Sequence, residues 1–359
     1  MKFVTIVGAR PQFIKAAPLS TELRKEHEEC LVHTGQHYND NMSDVFFREL
    51  NIPPPDVHLG VGSGSHAAQT AAMLTGIEQV LLEVKPDAVI IYGDTNSTVA
   101  GVLAAAKLHI PVAHVEAGLR SFDRRMPEEI NRVVADHLST WLFAPSQVSV
   151  RQLAAEGIVE GVHDVGDIMA DSVRLFAPLA RERSDVLARL KLESGEYFAA
   201  TVHRAANTDE RSRLSGIFEG LSAAPIPVVL PLHPRTKAAI DRHGLKSFIE
   251  GASQTIRIID PLGYLDMLQL QQNAAAVLTD SGGIQKEAYY LGVPCITLRD
   301  ETEWMETVEA GWNRLVGADA PRIAEAVKGF LSSKRKNRPQ LYGDGHAAER
   351  VVCYFDDDK

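Results

Sequence analysis

The chain has 359 residues, 45% hydrophobic and 23% charged, with a formal net charge of -10. That length suits two domains with sizeable cores, and the acidic balance shows no footprint for nucleic acid. No run approaches a membrane span. The three cysteines lack metal-ligand spacing and read as reduced residues of a cytoplasmic protein.

The first element, within "MKFVTIVGARPQF", has one Lys and a short apolar run, so it reads as a strand rather than a targeting peptide. Strands are expected at 2–7, 30–34, 88–92, 111–115, 141–144 and 162–165. A second set is expected at 197–202, 227–232, 255–259, 274–278, 294–298 and 314–316. Segments of helical period lie between most of them. This order predicts parallel sheets covered by helices. A cut near Gly166-Asp167, before a long helical stretch over 169–190, gives an α/β protein of two doubly wound, Rossmann-like domains, 1–166 and 167–342. The amphipathic tail 343–359 is expected to pack back on the first domain. Ligands of such sheets bind beyond the carboxyl ends of the strands, here expected at a cleft between the two domains.

The residues after each strand therefore carry the chemistry. Beyond the first comes "GARPQFIK" (8–15), which is not G-x-G-x-x-G. Arg10 and Lys15 could clamp a phosphate, or form a solvated basic pair. "YGDTNST" (92–98) and "HVEAGLRS" (114–121) end strands with Asp94 and Glu116. Acids at neighbouring strand ends repel unless paired or used, so both are candidates for acid/base work. The bland alternative has Asp94 capping the next helix and Glu116 pairing with Arg120. In "MPEEINR", Glu128 and Arg132 stand at i, i+4, the spacing of a structural ion pair.

In the second half, "TVHRAANT" places His203 and Arg204 directly after a strand, and "LHPRT" places His233 and Arg235 after the next. One histidine alone is more often structural; two strand ends of this kind suggest a polyanion site. "DSGGIQKEA" (280–288) turns from strand to helix at Ser281, Gly282 and Gly283. A serine cap would explain Ser281, but not two glycines that each cost about 1 kcal/mol in a helix. Bare backbone N–H groups for a phosphate would. Glu287 suits the vicinal hydroxyls of a ribose. Together these point to a nucleotide diphosphate held by the second half.

These segments, with "HTGQHY" and "YGDGHAAER", resemble the non-hydrolysing UDP-N-acetylglucosamine 2-epimerases over nearly the whole chain. The resemblance implies a glycosyltransferase-B-like architecture, no redox cofactor or metal, a UDP-sugar substrate and a homodimer. It implies that Asp94, Glu116 and Glu128 are catalytic acids, with Arg132 beside Glu128, and that His203 assists UDP departure. Arg10 and Lys15 match diphosphate or sugar contacts, Ser281 and Gly282 the phosphate loop, and Glu287 the ribose carboxylate. Gln12 and Ala206 stand where the family usually has Glu, and "DETEWME" (300–306) replaces "DTTERPE". The Arg of the family's regulatory site has no match in "GVGSGSHAAQT". "ARPQF", "QKEAYYLG" and "TEW" are closer to the branch that epimerises UDP-2,3-diacetamido-2,3-dideoxyglucuronate. A UDP-sugar glycosyltransferase is the reading from another enzyme class, with two strand-end acids against it. A nucleotide-sugar binding protein without chemistry is the third.

Overall fold

The computed structural model describes residues 1–36, 53–332 and 337–357. His37 and Tyr38 of "HTGQHY" and the last two residues of the tail lie outside them. The chain forms two compact units, Met1–Leu175 with Tyr342–Lys359, and Phe176–Leu341.

The first unit holds β1 (Lys2–Val7), β2 (Glu28–His33), β3 (Val57–His58), β4 (Ala88–Tyr92), β5 (Val112–Val115), β6 (Trp141–Ala144) and β7 (Val162–Asp164). They form one sheet in the order β3-β2-β1-β4-β5-β6-β7. Every pairing is parallel. Val4 and Ile6 point to one face, against Met73, Ile77 and Val102. On the other face Phe3 meets Phe355 of the helix Ala347–Asp357, with ring centroids 4.7 Å apart. Asp171 accepts the backbone N–H groups of Ala347 and Ala348 at 3.0 and 2.9 Å, capping that helix from a distant part of the sequence.

The second unit holds β8 (Phe198–Thr201), β9 (Val228–Pro231), β10 (Ile256–Ile259), β11 (Val277–Thr279), β12 (Cys295–Thr297) and β13 (Asn313–Leu315), in the order β10-β9-β8-β11-β12-β13. These pairings too are all parallel. Alternate residues of the β8 run serve opposite faces: Phe198, Ala200 and Val202 one core, Tyr197 and Ala199 the other.

Three expectations change. The two-residue strand β3 was not foreseen, because Val57–His58 is too short to show a period. The strand expected at 274–278 is Val277–Thr279, since the Ala274 N–H turns back to Gln271 O (3.1 Å) and closes the preceding helix. The long helix expected over 169–190 is two, Ile168–Arg183 and Val186–Leu190. It breaks where the Ser184 hydroxyl leaves to donate to Asp266 at 2.5 Å.

Strand order reverses direction at β1/β4 in the first sheet and at β8/β11 in the second. Such a switch point leaves a crevice beyond the strand ends. Gly8–Arg10 and Gly93–Asp94 flank the first; His203–Arg204 and Asp280–Gly283 flank the second.

Candidate active site

At the first switch point the backbone is built tightly. A Cβ on Gly8 would sit 2.1 Å from both Ser97 Oγ and Thr34 Oγ1, so only glycine fits. Buried Gln12 braces this loop. Its Oε1 accepts from the N–H groups of Gly8 (2.9 Å) and Ala9 (3.1 Å). Its Nε2 donates to Tyr92 O (2.8 Å) and Thr98 Oγ1 (3.1 Å). An amide meets both demands at once, whereas an ionised Glu would set a carboxylate oxygen against the Tyr92 carbonyl. That is the physical sense of Gln12 in this chain.

Asp94 is half-buried. It does not cap the following helix; Thr95 does, with its hydroxyl accepting from the Thr98 N–H. Asp94 Oδ2 instead accepts from Arg132 Nε (3.0 Å) and Nη2 (2.6 Å). Glu116 is buried and pairs with Lys15. Its φ of +73° is a left-handed conformation that costs a non-glycine residue about 1 kcal/mol. Gly93 lets the two close in: a Cβ there would lie 3.2 Å from Glu116 Oε2 and 3.3 Å from Lys15 Nζ. Arg120, the alternative partner for Glu116, serves Asp136 (2.6 Å) and Glu156 (2.7 Å). Glu128 is half-buried, and its carboxylate has no hydrogen bond or ion pair among the described residues. Arg132 bonds Glu129 at 2.8 Å, at i, i+3. Arg10 opens the helix Arg10–Leu23 and is half-buried.

Beneath the acids lies a buried network that spacing did not reveal. His114, two residues before Glu116, hydrogen-bonds Asp136 through Nδ1 (2.7 Å) and the Gly93 carbonyl through Nε2 (2.8 Å). One imidazole thereby ties together the loops carrying both acids. Burial alone would raise the Asp136 carboxyl, but His114 and Arg120 more than offset it and hold it below its ordinary value.

At the second switch point Asp280 is fully buried. It accepts from the N–H groups of His203 (3.0 Å) and Arg204 (2.9 Å) and from Asn207 Nδ2 (3.1 Å). The acid of "DSGG" thus turns inward and shapes the loop after β8. His203 lies 5.1 Å from His233, centroid to centroid. Burial lowers the His203 value, the Asp280 carboxylate opposes this, and Arg204 and Arg235 lower it further; the net shift is downward. His233 Nδ1 accepts from the Arg235 N–H at 3.1 Å.

The helix Gly282–Leu291 starts at Ser281, whose side chain makes no capping bond. The serine cap considered above is therefore not formed. Nor does the fold demand the glycines. A Cβ on Gly282 would make ordinary contacts, 3.4 Å to Trp304 Nε1, 3.7 Å to Glu303 and 3.9 Å to Arg204 Nη2, and one on Gly283 would meet only Ser281 Oγ at 4.0 Å. Glycine leaves this helix start open. Arg204 and the Trp304 N–H border that opening, and Lys286 Nζ lies 4.0 Å over the Trp304 ring. Glu287 is buried and accepts from Gln271 Nε2 at 2.8 Å. Ala206 is exposed in the short helix Ala205–Thr208.

Two parallel-sheet α/β units, of seven and six strands, match the solved UDP-GlcNAc 2-epimerases and define a glycosyltransferase-B-like fold. The chain belongs to the UDP-N-acetylglucosamine 2-epimerase family, whose sequence profile matches residues 21–355, and it is an isomerase. It is 48% identical over 353 residues to a UDP-N-acetylglucosamine 2-epimerase homolog of Methanococcus maripaludis, covering 98% of each chain. It is also 48% identical over 363 residues to the UDP-2,3-diacetamido-2,3-dideoxy-D-glucuronate 2-epimerase of Pseudomonas aeruginosa, covering 99% of each. The crystal structure of Methanocaldococcus jannaschii UDP-GlcNAc 2-epimerase in complex with UDP-GlcNAc and UDP superposes with a TM-score of 0.92. Its sequence identity is 45%, covering 99% of this chain and 100% of that one. Among the described residues, no helix is long and apolar enough to cross a membrane.

Proposed function

We propose that the chain interconverts UDP-GlcNAc and UDP-ManNAc by elimination and re-addition of UDP. The observation that carries this is that Asp94 and Glu116 follow the neighbouring strands β4 and β5, with a Glu128 carboxylate that has no partner among the described residues on the helix that also supplies Arg132. The C2 proton of the sugar is not acidic as it stands. Departure of UDP from C1 builds cationic character that acidifies it. Loss of that proton to a carboxylate leaves a 2-acetamidoglucal and UDP. A proton then returns to the opposite face of C2, and UDP re-adds at C1. Two faces need groups that take and give a proton, which Asp94, Glu116 and Glu128 supply.

The departing diphosphate needs stabilisation. The N–H groups at Ser281, Gly282 and Gly283, with Arg204, supply it, and Glu287 takes the ribose hydroxyls. His203, neutral before ligand arrives, gains a proton as the diphosphate adds negative charge beside it, and His233 stands next to it. Arg10 and Lys15 serve the diphosphate or the sugar, Lys15 by exchanging its hold on Glu116. The identity to the Pseudomonas aeruginosa enzyme supports a second substrate, UDP-2,3-diacetamido-2,3-dideoxyglucuronate, for the same chemistry. We place the enzyme in the cytoplasm as a homodimer, as the family resemblance implies.

Proton NMR in heavy water tests the reading. Loss of the sugar H2 signal of UDP-GlcNAc, with a manno product appearing, is expected. Exchange only with the diacetamido-uronate would transfer the activity to that substrate. Neither exchange, with UDP bound, would overturn the epimerase reading in favour of a glycosyltransferase.

A further inference from the structure

The adjacent glutamates of "MPEEINR" have opposite environments. Glu128 is half-buried, and its carboxylate has no partner among the described residues. Glu129 is 3% exposed and fully engaged. Its Oε2 accepts from the Ser121 N–H (2.8 Å), the Ser121 hydroxyl (3.0 Å) and Arg132 Nη1 (2.8 Å). Its Oε1 accepts from the Phe122 N–H at 3.0 Å. The same guanidinium grips Asp94 through Nε and Nη2. One planar cation is therefore shared between two carboxylates, a geometry that Arg supplies and Lys cannot.

We propose that Glu129 is a positioning residue that sets the place of Asp94 through Arg132. This rests on the epimerase reading. The argument follows from rigidity. Glu129 anchors Nη1 to the Ser121–Phe122 backbone, so the fork that holds Asp94 cannot swing. The anchored loop is strained: Phe122 has a φ of +59° and is 74% exposed, and nothing in its own side chain favours that conformation. The loop joins Glu116 to Glu128, so pinning it also fixes the spacing of those two acids.

The experiment is kcat and KM for the parent, Glu129→Gln and Glu129→Asp, with thermal unfolding and UDP titration alongside. Glu129→Gln keeps an oxygen for the loop N–H groups but loses the ion pair with Arg132. Its kcat is expected to fall ~10-fold or more, with KM within about twofold and UDP affinity kept. Glu129→Asp keeps the charge and is expected to recover part of kcat. A Glu129→Gln enzyme with the parent's kcat overturns the proposal. So do two variants equally slowed, or a loss of kcat that follows a loss of UDP affinity, which would mark a structural role only. Should Glu129→Gln fail to fold, Glu129→Asp decides: a lowered kcat with KM and UDP affinity kept supports the proposal, and the parent's kcat overturns it. A parent that exchanges no C2 proton overturns the functional reading instead.

Discussion

The two switch points handle charge in opposite ways. In the first unit nearly every site charge is spent on another: Lys15 on Glu116, Arg132 on Asp94 and Glu129, Arg120 on Asp136 and Glu156. In the second, the carboxylate of Asp280 turns inward to shape a loop, while the outward face offers backbone N–H groups, a guanidinium and a histidine held neutral. The first arrangement holds carboxylates at fixed places. The second leaves backbone N–H groups at a helix start, the kind of end that suits an anion. Catalysis and binding should therefore separate by unit when residues are changed.

The largest expected effect tests that separation directly. Asp94→Asn or Glu116→Gln should lower turnover at least ~100-fold, about 2.7 kcal/mol of transition-state stabilisation, while UDP affinity is largely kept. Steady-state kinetics and calorimetry together measure it. Equal losses in both quantities would erase the contrast, and unchanged turnover would remove the acid/base assignment.

The next effect is on binding. Gly282→Ala adds a Cβ that makes only ordinary contacts within the unit, and alanine suits a helix better than glycine. The fold should be as stable or slightly more so. UDP affinity should fall ~10-fold, about 1.4 kcal/mol, because the methyl occupies the approach to the N–H groups. A variant that binds UDP as the parent does would mean that the anion sits elsewhere.

How much of this the sequence showed depends on the range of the interaction. The longer strands were legible because they are short apolar runs bounded by Gly, Pro or charge, and their order made the strand ends findable; two-residue β3 was not. The structure places Asp94, Glu116, His203 and Gly282 just after such strands. Partners remote in sequence were not. His114 reads as one more strand residue until Asp136, 22 positions on, is seen to bond it. The helix break at Ser184 depends on Asp266, 82 positions away. In "MPEEINR" the i, i+4 rule pointed to Glu128 as the partner of Arg132; the structure gives Arg132 to Glu129, because the loop at Ser121 and Phe122 draws that carboxylate inward.

A smaller effect should appear in the pH dependence of UDP binding. The His203 value is depressed in the free protein, so the side chain is neutral through the neutral range. A bound diphosphate favours the imidazolium, so binding takes up a proton and affinity rises as pH falls from about 7.5 towards 6. Calorimetry in buffers of differing ionisation enthalpy reads the uptake, and His203→Asn should abolish it. Uptake that persists in the variant would assign the proton to another group, His233 first.

The smallest expected effect concerns stability alone. Asp171 caps the helix Ala347–Asp357, and its removal in Asp171→Ala leaves two backbone N–H groups without their acceptors. The cost should be about 1 kcal/mol. Burial raises the Asp171 carboxyl above its ordinary value, and the Ala348 and Ala347 N–H groups only partly oppose it. An acid held more tightly protonated in the folded chain than in the unfolded one contributes most at low pH, and loses stability as pH rises through its raised value. The advantage of the parent over Asp171→Ala should therefore be larger near pH ~4 than near pH ~7, the reverse of what the lowered Asp136 and Glu129 contribute in the same unit. Urea unfolding of both proteins at the two pH values measures it. An advantage that grows with pH would mean that Asp171 is held ionised by its cap, as Asp136 and Glu129 are by their partners.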